Sequence, residues 1–470
     1  RFAGLVARAI DAADPTLRAP LPHRYRGSRR LRVGFVSAFF REGTVGRYFE
    51  RWITDLPREA FDVCVYHLQP GEDEVAARLA ARADRFRRCP RFRPSQVAAA
   101  VREDAPDVLV YPELGMDATT FAVAALRLAP LQCAAWGHPV TTGHATIDVF
   151  FTAAAMEREG AQADYTERLV ALPGIGTRYA RPALPERVAH AALGLPAEGT
   201  LMLCPQSLFK IAPDDDALFA RVLAAVPDSR LVLFEGRHPA LTRRYLARLD
   251  AVFAVHGVAR GERVIVRPQV RHDIFMQTNL ACDAMLDTLR WSGGNTSLDA
   301  IATGLPIVTL PGRFMRARQS AAMLAIAGAP ELIAKDVDDY VRIASRLQAY
   351  ELPRLWCFSA RDDLDNRDLG SLRRGGTLLS PYDNWPDNPD YSGYEGNAWY
   401  GMELDIPPGS DDYAVFLPWQ SRGTQVYFNG KLIFETRPFD GNGRSPAIAR
   451  TRVPATFEIT IRDGAGYLAN

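Results

Sequence analysis

The chain has 470 residues, 47% of them hydrophobic and 24% charged, with 35 Gly and 33 Pro; that is globular composition, which excludes disorder and fits three domains or two large ones at roughly 100 to 200 residues each. Lysine and arginine number 56 against 55 acidic residues, a net +1, so no global field recruits nucleic acid or a membrane. No apolar run reaches the ~18 residues of a bilayer span, and the N-terminus has no signal-type segment, so a soluble, cytoplasmic protein is expected.

The first residue is Arg, as in a processed product or a fragment. Residues 1–30 read as a helical stretch, Phe2 to Ala13, followed by the basic run His23 to Arg32, taken as a solvated linker rather than a phosphate-binding arm. From Leu31 short apolar runs alternate with helical segments: LRVGFVS, FDVCVYHL, DVLVYPEL, LQCAAWG, DVFFT and RLVALP. Such alternation predicts a parallel sheet flanked by helices, a first Rossmann-like domain over 31–180. After a Pro-containing stretch, about Thr177 to Pro196, the pattern restarts with TLMLCPQ, RLVLFEG, RVIVRPQV, ACDAMLDT and LPIVTLPG. A second doubly wound domain over 197–347 follows. From about Gly370 the chain turns to WYGMELDI, DYAVFLPW, TQVYFNGKLIFE and TFEITIR, separated by turn signals that include Asn429-Gly430. That is all-β patterning, predicting a sandwich or jelly roll over 370–470 behind a linker, Ser359 to Gly376. The six cysteines, Cys64, Cys89, Cys133, Cys204, Cys282 and Cys357, show no zinc spacing and read as buried thiols of a reducing compartment.

In open α/β sheets ligands bind beyond the carboxyl ends of the strands, and three such places carry chemistry. In LDTLRWSGGNTSLDAIATG, a strand ending near Asp287 leads through Gly293, Gly294, Asn295 and Thr296 into a helix. Small residues and free N–H groups there suit a phosphate, but a capped tight turn reads equally well, and the motif is neither GxGxxG nor a P-loop. In CPQSLFKIAPDDD the lysine is one of three in the chain, Lys210, Lys335 and Lys431. A compact ammonium just past a strand offsets diphosphate charge, unless it is a surface lysine. The run Asp214 to Asp216 follows Pro213 and opens a helix, so it reads as capping rather than as a metal site. YPELGMDATTF and APLQCAAWGHPVTTG place Glu113, Asp117 and His138 after successive strands, two carboxylates and an imidazole from which a general base can be drawn. A structural histidine is the alternative for His138.

Together LRVGFVSAFF, DVLVYPELGMD, RLAPLQCAAWGHPVTTG, CPQSLFKIAPDDDALF, WSGGNTSLDAIATGLPIVTLPG and FMRARQSAAML resemble the catalytic region of the bacterial O-linked N-acetylglucosamine transferase (SPINDLY-like) family over about Leu31 to Leu347. The resemblance implies a GT-B fold with the active site in the cleft between two Rossmann-like domains. It also implies inverting, metal-independent transfer of N-acetylglucosamine, or another hexose, from a UDP-sugar to a protein side chain, with Ser or Thr as acceptor. Carried over by motif, Gln206 and Lys210 contact the uridine diphosphate, and Gln269, Val270 and His272 meet uracil and ribose. Gly293, Gly294, Asn295 and Thr296 cradle the diphosphate, and Asp299 holds the ribose. No cofactor or metal is expected; the partners are the UDP-sugar and an acceptor polypeptide.

Two positions depart from the family. Where it carries a histidine before the Thr after the first strand, this chain has Gly43 in FFREGTVGRYF, which takes no proton. Any base role then falls to Glu113, Asp117 or His138, and a histidine restored at 43 is expected to raise transfer. The family also ends in helices, whereas here the match stops near Leu347. The remainder resembles galactose-binding-like jelly-roll domains of bacterial sensors, with carbohydrate as a further partner. Glucosylation of Asn and non-catalytic binding of a nucleotide-sugar or carbohydrate are the alternatives.

Overall fold

The computed structural model describes residues 1–18, 21, 29–69, 71, 73–89, 93–180 and 182–347, and beyond them the C-terminal strands named below. Residues 23–28 of the basic run and 360–376 of the expected linker lie outside the described residues. The chain divides into two compact units, Arg1–Pro182 with Arg290–Asn295 and Gly312–Met323, and Ala183–Leu289 with Thr296–Pro311 and Leu324–Asn470.

In the first unit the strands β1 (Leu31–Ser37), β2 (Phe61–His67), β3 (Arg85–Arg88), β4 (Val108–Tyr111), β5 (Leu131–Ala135), β6 (Val149–Ala153) and β7 (Arg168–Leu172) form one sheet. Its order is β3-β2-β1-β4-β5-β6-β7 and every pairing is parallel. The helices are α1 (Phe2–Ala13), α2 (Thr44–Thr54), α3 (Glu74–Arg82), α4 (Pro94–Asp104) and α5 (Ala118–Ala124). Continuous apolar runs suit strands covered on both faces, and Val33, Phe35, Val63, Val65 and Val110 fill the core. Helix α2 buries Val45, Tyr48, Phe49 and Ile53, a stripe at helical spacing. Strand order reverses between β1 and β4, so their carboxyl ends form the switch point where such sheets take ligands.

The sequence pattern missed β3 because RFRR is not apolar. It is the sheet's edge, held by ion pairs of Arg85 to Asp62 at 3.5 Å and Arg87 to Asp104 at 2.5 Å. The described end of the basic run is ion-paired while Arg29 and Arg30 stay exposed: Arg29 meets Asp107 at 2.7 Å, Arg30 meets Asp84 at 3.1 Å, and Arg32 meets Asp62 at 2.9 Å. Carboxylates at or near the strand starts bind these arginines. Helix α1 packs on this unit, its Phe2 ring 5.3 Å from Phe121 of α5.

The second unit repeats the grammar with β8 (Thr200–Leu203), β9 (Ser229–Phe234), β10 (Val264–Arg267), β11 (Ala284–Leu286) and β12 (Ile307–Val308), parallel and ordered β10-β9-β8-β11-β12. Helices α6 (Pro213–Ala225), α7 (Pro239–Val255), the single turn α8 (Arg260–Arg263), α9 (His272–Ala281), α10 (Asn295–Thr303) and α12 (Val337–Arg346) accompany it, with Asn295 counted in the first unit, and α11 (Gln319–Ile326) lies mostly in the first unit. Leu201, Leu203, Phe219, Val232 and Phe253 are wholly buried in its core. The reversal here lies between β8 and β11, upstream of Gln206 and Asp287.

The C-terminal strands are β13 (Trp356–Ser359), β14 (Thr377–Leu379), β15 (Asn397–Asp405), β16 (Tyr413–Leu417), β17 (Gln425–Phe428), β18 (Lys431–Glu435), β19 (Ala447–Thr451) and β20 (Thr456–Gly464). They pair antiparallel in a six-stranded sheet, β14-β13-β15-β20-β17-β18, and a two-stranded one, β16-β19. Phe428 stands opposite Lys431, on either side of Asn429-Gly430. Among the described residues no helix is long and apolar enough to cross a membrane.

Candidate functional site

Glu113 follows β4 at the first switch point and is 1% exposed. Burial pushes its carboxyl up to about 8, against the opposing pull of the Ser37 hydroxyl and the Ala38 N–H. Neither oxygen reaches a partner at full hydrogen-bonding geometry. At neutral pH that shift favours the protonated, uncharged carboxyl. Asp117 caps α5, accepting the Thr120 N–H at 2.9 Å. His138, half-buried, lies with its ring 5.7 Å from that of Trp291. Gly115 makes room for it: with φ at +116°, a Cβ there would stand 2.7 Å from His138 Cδ2.

The glycine-rich loop is gripped from several sides. Ser292 donates its N–H to Arg316 at 2.7 Å, and its hydroxyl meets that of Ser320 at 2.8 Å. A Cβ on Gly294 would lie 2.8 Å from both Tyr48 Oη and Gln319 Oε1. Asn295, the first residue of α10, accepts the Tyr179 hydroxyl at 2.6 Å. His138, Glu113, Gly293, Gly294 and Asn295 thus share the first unit with Tyr48, Tyr179, Trp291 and Gln319, which the sequence reading did not single out. Tyr48 lies on the apolar stripe of α2 and Trp291 stands beside the loop itself, whereas Tyr179 and Gln319 come from segments that no periodicity links to it.

The second unit holds the rest. Lys210 is half-buried in the turn after β8, and burial lowers its pKa from the usual lysine value. His272 Nε2 stands 3.1 Å from Asp299 Oδ2, on α9 and α10, and Asp299 is 1% exposed. Gln206 bends back, its Oε1 accepting the Ser207 N–H at 3.1 Å. Gln269 donates its side-chain amide to the Glu235 carbonyl, while Val270 packs on the apolar core. Thr296 is half-buried on α10, just past the loop. Asp215 takes the Ala212 N–H at 2.7 Å and the Leu289 N–H at 2.7 Å, and Asp216 pairs with Arg248 at 2.5 Å. The acidic run thus has the capping role expected of it, with two of its members also committed to neighbours. Cys64, Cys89, Cys133, Cys204 and Cys282 are buried free thiols, and burial pushes Cys64 up to about 11 and Cys133 to about 12. The side chain of Cys357 lies outside the described residues.

Residues 184–354 match the model of Glycosyl transferase family 41. Over 327 residues, 67% of this chain and 35% of the relative, the sequence is 27% identical to the probable UDP-N-acetylglucosamine–peptide N-acetylglucosaminyltransferase SPINDLY of Arabidopsis thaliana. Over 275 residues, 57% of this chain and 42% of the relative, it is 26% identical to the UDP-glucose:protein N-beta-glucosyltransferase of Actinobacillus pleuropneumoniae serotype 7. A solved mutant of the Thermobaculum terrenum O-GlcNAc transferase superposes with a TM-score of 0.64 and 29% identity, covering 79% of this chain and 67% of that one. The chain spans about a third of the length of the first curated relatives it matches.

Proposed function

We propose that this chain, which carries an O-GlcNAc-transferase-like glycosyltransferase catalytic region on a GT-B-like parallel-sheet α/β fold, transfers N-acetylglucosamine from a UDP-sugar to Ser or Thr of a polypeptide, with inversion and without a metal. The likeness to the Thermobaculum enzyme over 79% of the chain carries the reading. In it the acceptor hydroxyl attacks the anomeric carbon, the bond from that carbon to the diphosphate oxygen breaks, and UDP leaves. The Lys210 ammonium and the N–H groups of Gly293, Gly294, Asn295 and Thr296 stabilise the departing charge. His272 and Asp299 hold the ribose, Gln206 the diphosphate, and Gln269 with the Val270 backbone the uracil. His138 takes the acceptor proton, since Asp117 serves its helix and Glu113 is neutral at pH 7. We place the protein in the cytoplasm, which its buried free thiols support, and assign the C-terminal strands to a carbohydrate-binding jelly roll.

Incubating the full chain with radiolabelled UDP-sugars and a peptide library tests this directly. Transfer of N-acetylglucosamine to Ser or Thr, undiminished by chelator, is the expected result. Transfer of glucose to Asn would favour the reading suggested by the Actinobacillus relative, and UDP affinity without transfer would make the chain a binder.

A further inference from the structure

We propose that Tyr179, in the strap that leaves β7, is a positioning residue that sets which edge of the Asn295 amide faces the donor; the inference rests on the diphosphate reading above. The Tyr179 hydroxyl donates to Asn295 Oδ1 at 2.6 Å. An amide has one acceptor edge and one donor edge. With Oδ1 turned to the tyrosine, the Nδ2 edge is directed away from it, and an N–H edge is what a diphosphate requires. Flipped, the same amide would present an oxygen to the anion.

The tyrosine is held in place from several directions. The Trp52 indole N–H donates to the Gly176 carbonyl at 3.1 Å, and the Thr177 hydroxyl donates to the Tyr48 carbonyl. The Gly176 N–H closes a turn onto the Pro173 carbonyl at 3.0 Å. Gly176 has φ +74°, and a Cβ on it would stand 2.9 Å from Trp136 Nε1. The Tyr179 ring meets the Tyr48 ring edge-on at 5.8 Å, and Tyr48 lies 4.7 Å from Trp136. Since Tyr48 and Trp136 are 2% and 0% exposed, this column of rings is fixed by the core and fixes the hydroxyl in turn. A stretch that reads as an interdomain connector is therefore a built support for Asn295.

UDP binding to the full chain, measured by calorimetry, tests the assignment. Tyr179→Phe is expected to weaken UDP about 5- to 10-fold, the size of one net hydrogen bond. In an Asn295→Ala background the same change should alter affinity less than about twofold, because a residue acting through another has nothing left to act on. Asn295→Asp keeps the acceptor for Tyr179 but turns a carboxylate oxygen to the ligand, and should abolish UDP binding with unchanged melting. Unchanged affinity in Tyr179→Phe, its full effect persisting without Asn295, or parent-like binding by Asn295→Asp would each overturn the assignment. If the parent itself fails to bind UDP, the donor reading falls and the assignment with it.

Discussion

A carboxyl group sealed from water holds its proton longer than an exposed one, and Glu113 gives that rule a measurable form. The folded chain keeps this proton up to about pH 8, whereas an unfolded glutamate releases it near 4.5. Raising the pH through that window therefore favours the unfolded state, by an amount on the order of a few kcal/mol once both pKa values are passed. Melting temperature is expected to fall from pH 5 to 9 in the parent, with a clearly shallower decline in Glu113→Gln; identical slopes would place the proton elsewhere. Gly43 works through its backbone. Its φ of +151° and ψ of −176° suit glycine, while a Cβ would meet nothing within 4 Å. The expectation that a histidine there raises transfer thus encounters a strained conformation. Gly43→Ala and Gly43→His should both lose about 1 to 3 kcal/mol in denaturant melts, and to similar extents. A histidine variant as stable as the parent and faster would refute this. Lys210→Ala should lower the transfer rate by about 10² to 10³, with affinity for UDP also reduced. The positions of Glu113, His138 and Lys210 after strands could be read from the chain, but not the burial that shifts Glu113 up and Lys210 down, which depends on what the fold packs around them.

The loop into α10 shows the same division at the level of elements. Its small residues and the helix after it are evident in SGGNTSLDA, since glycine and a capping amide mark such a junction. The grip on it comes from α2, the post-β7 strap and the start of α11, and contacts over such separations leave no periodic trace. Gly294→Ala should impair UDP binding strongly, because its Cβ would press on Tyr48 and Gln319, each 2.8 Å away. Pairing it with Tyr48→Phe should recover part of the affinity; no recovery would mean that the tyrosine oxygen is not the obstacle. Within the second unit, the strand end that leads into the loop is fixed by its own contacts: the Tyr340 hydroxyl donates to the Asp287 carbonyl at 2.9 Å, and the Thr309 hydroxyl to the Asp287 carboxylate at 2.7 Å.

For the molecule as a whole, apolar runs revealed the strands that are covered on both faces, β8 to β12 among them. They failed at β3, where ion-paired arginines replace apolar side chains, and at β13, β14 and β19. The C-terminal six-stranded sheet takes no strand from the α/β sheets, but it includes β13 (Trp356–Ser359), upstream of the boundary expected at 370, so residues 31–347 and 356–470 expressed apart are each expected to unfold cooperatively. Aggregation of the first piece unless the second is present would show that the β part braces it.

The first unit is not finished when its seventh strand is made. Its closing pieces, Arg290–Asn295 and Gly312–Met323, come from more than a hundred residues downstream, beyond most of the second sheet. During synthesis an N-terminal sheet must wait for them, which adds long-range closure to its folding and leaves His138 without Trp291 and Tyr48 without Gly294. A nascent chain arrested after residue 182 should therefore be readily cut by protease near α2, and one released past residue 323 should resist. The order of translation, rather than the order of domains, then decides when this half of the protein becomes native.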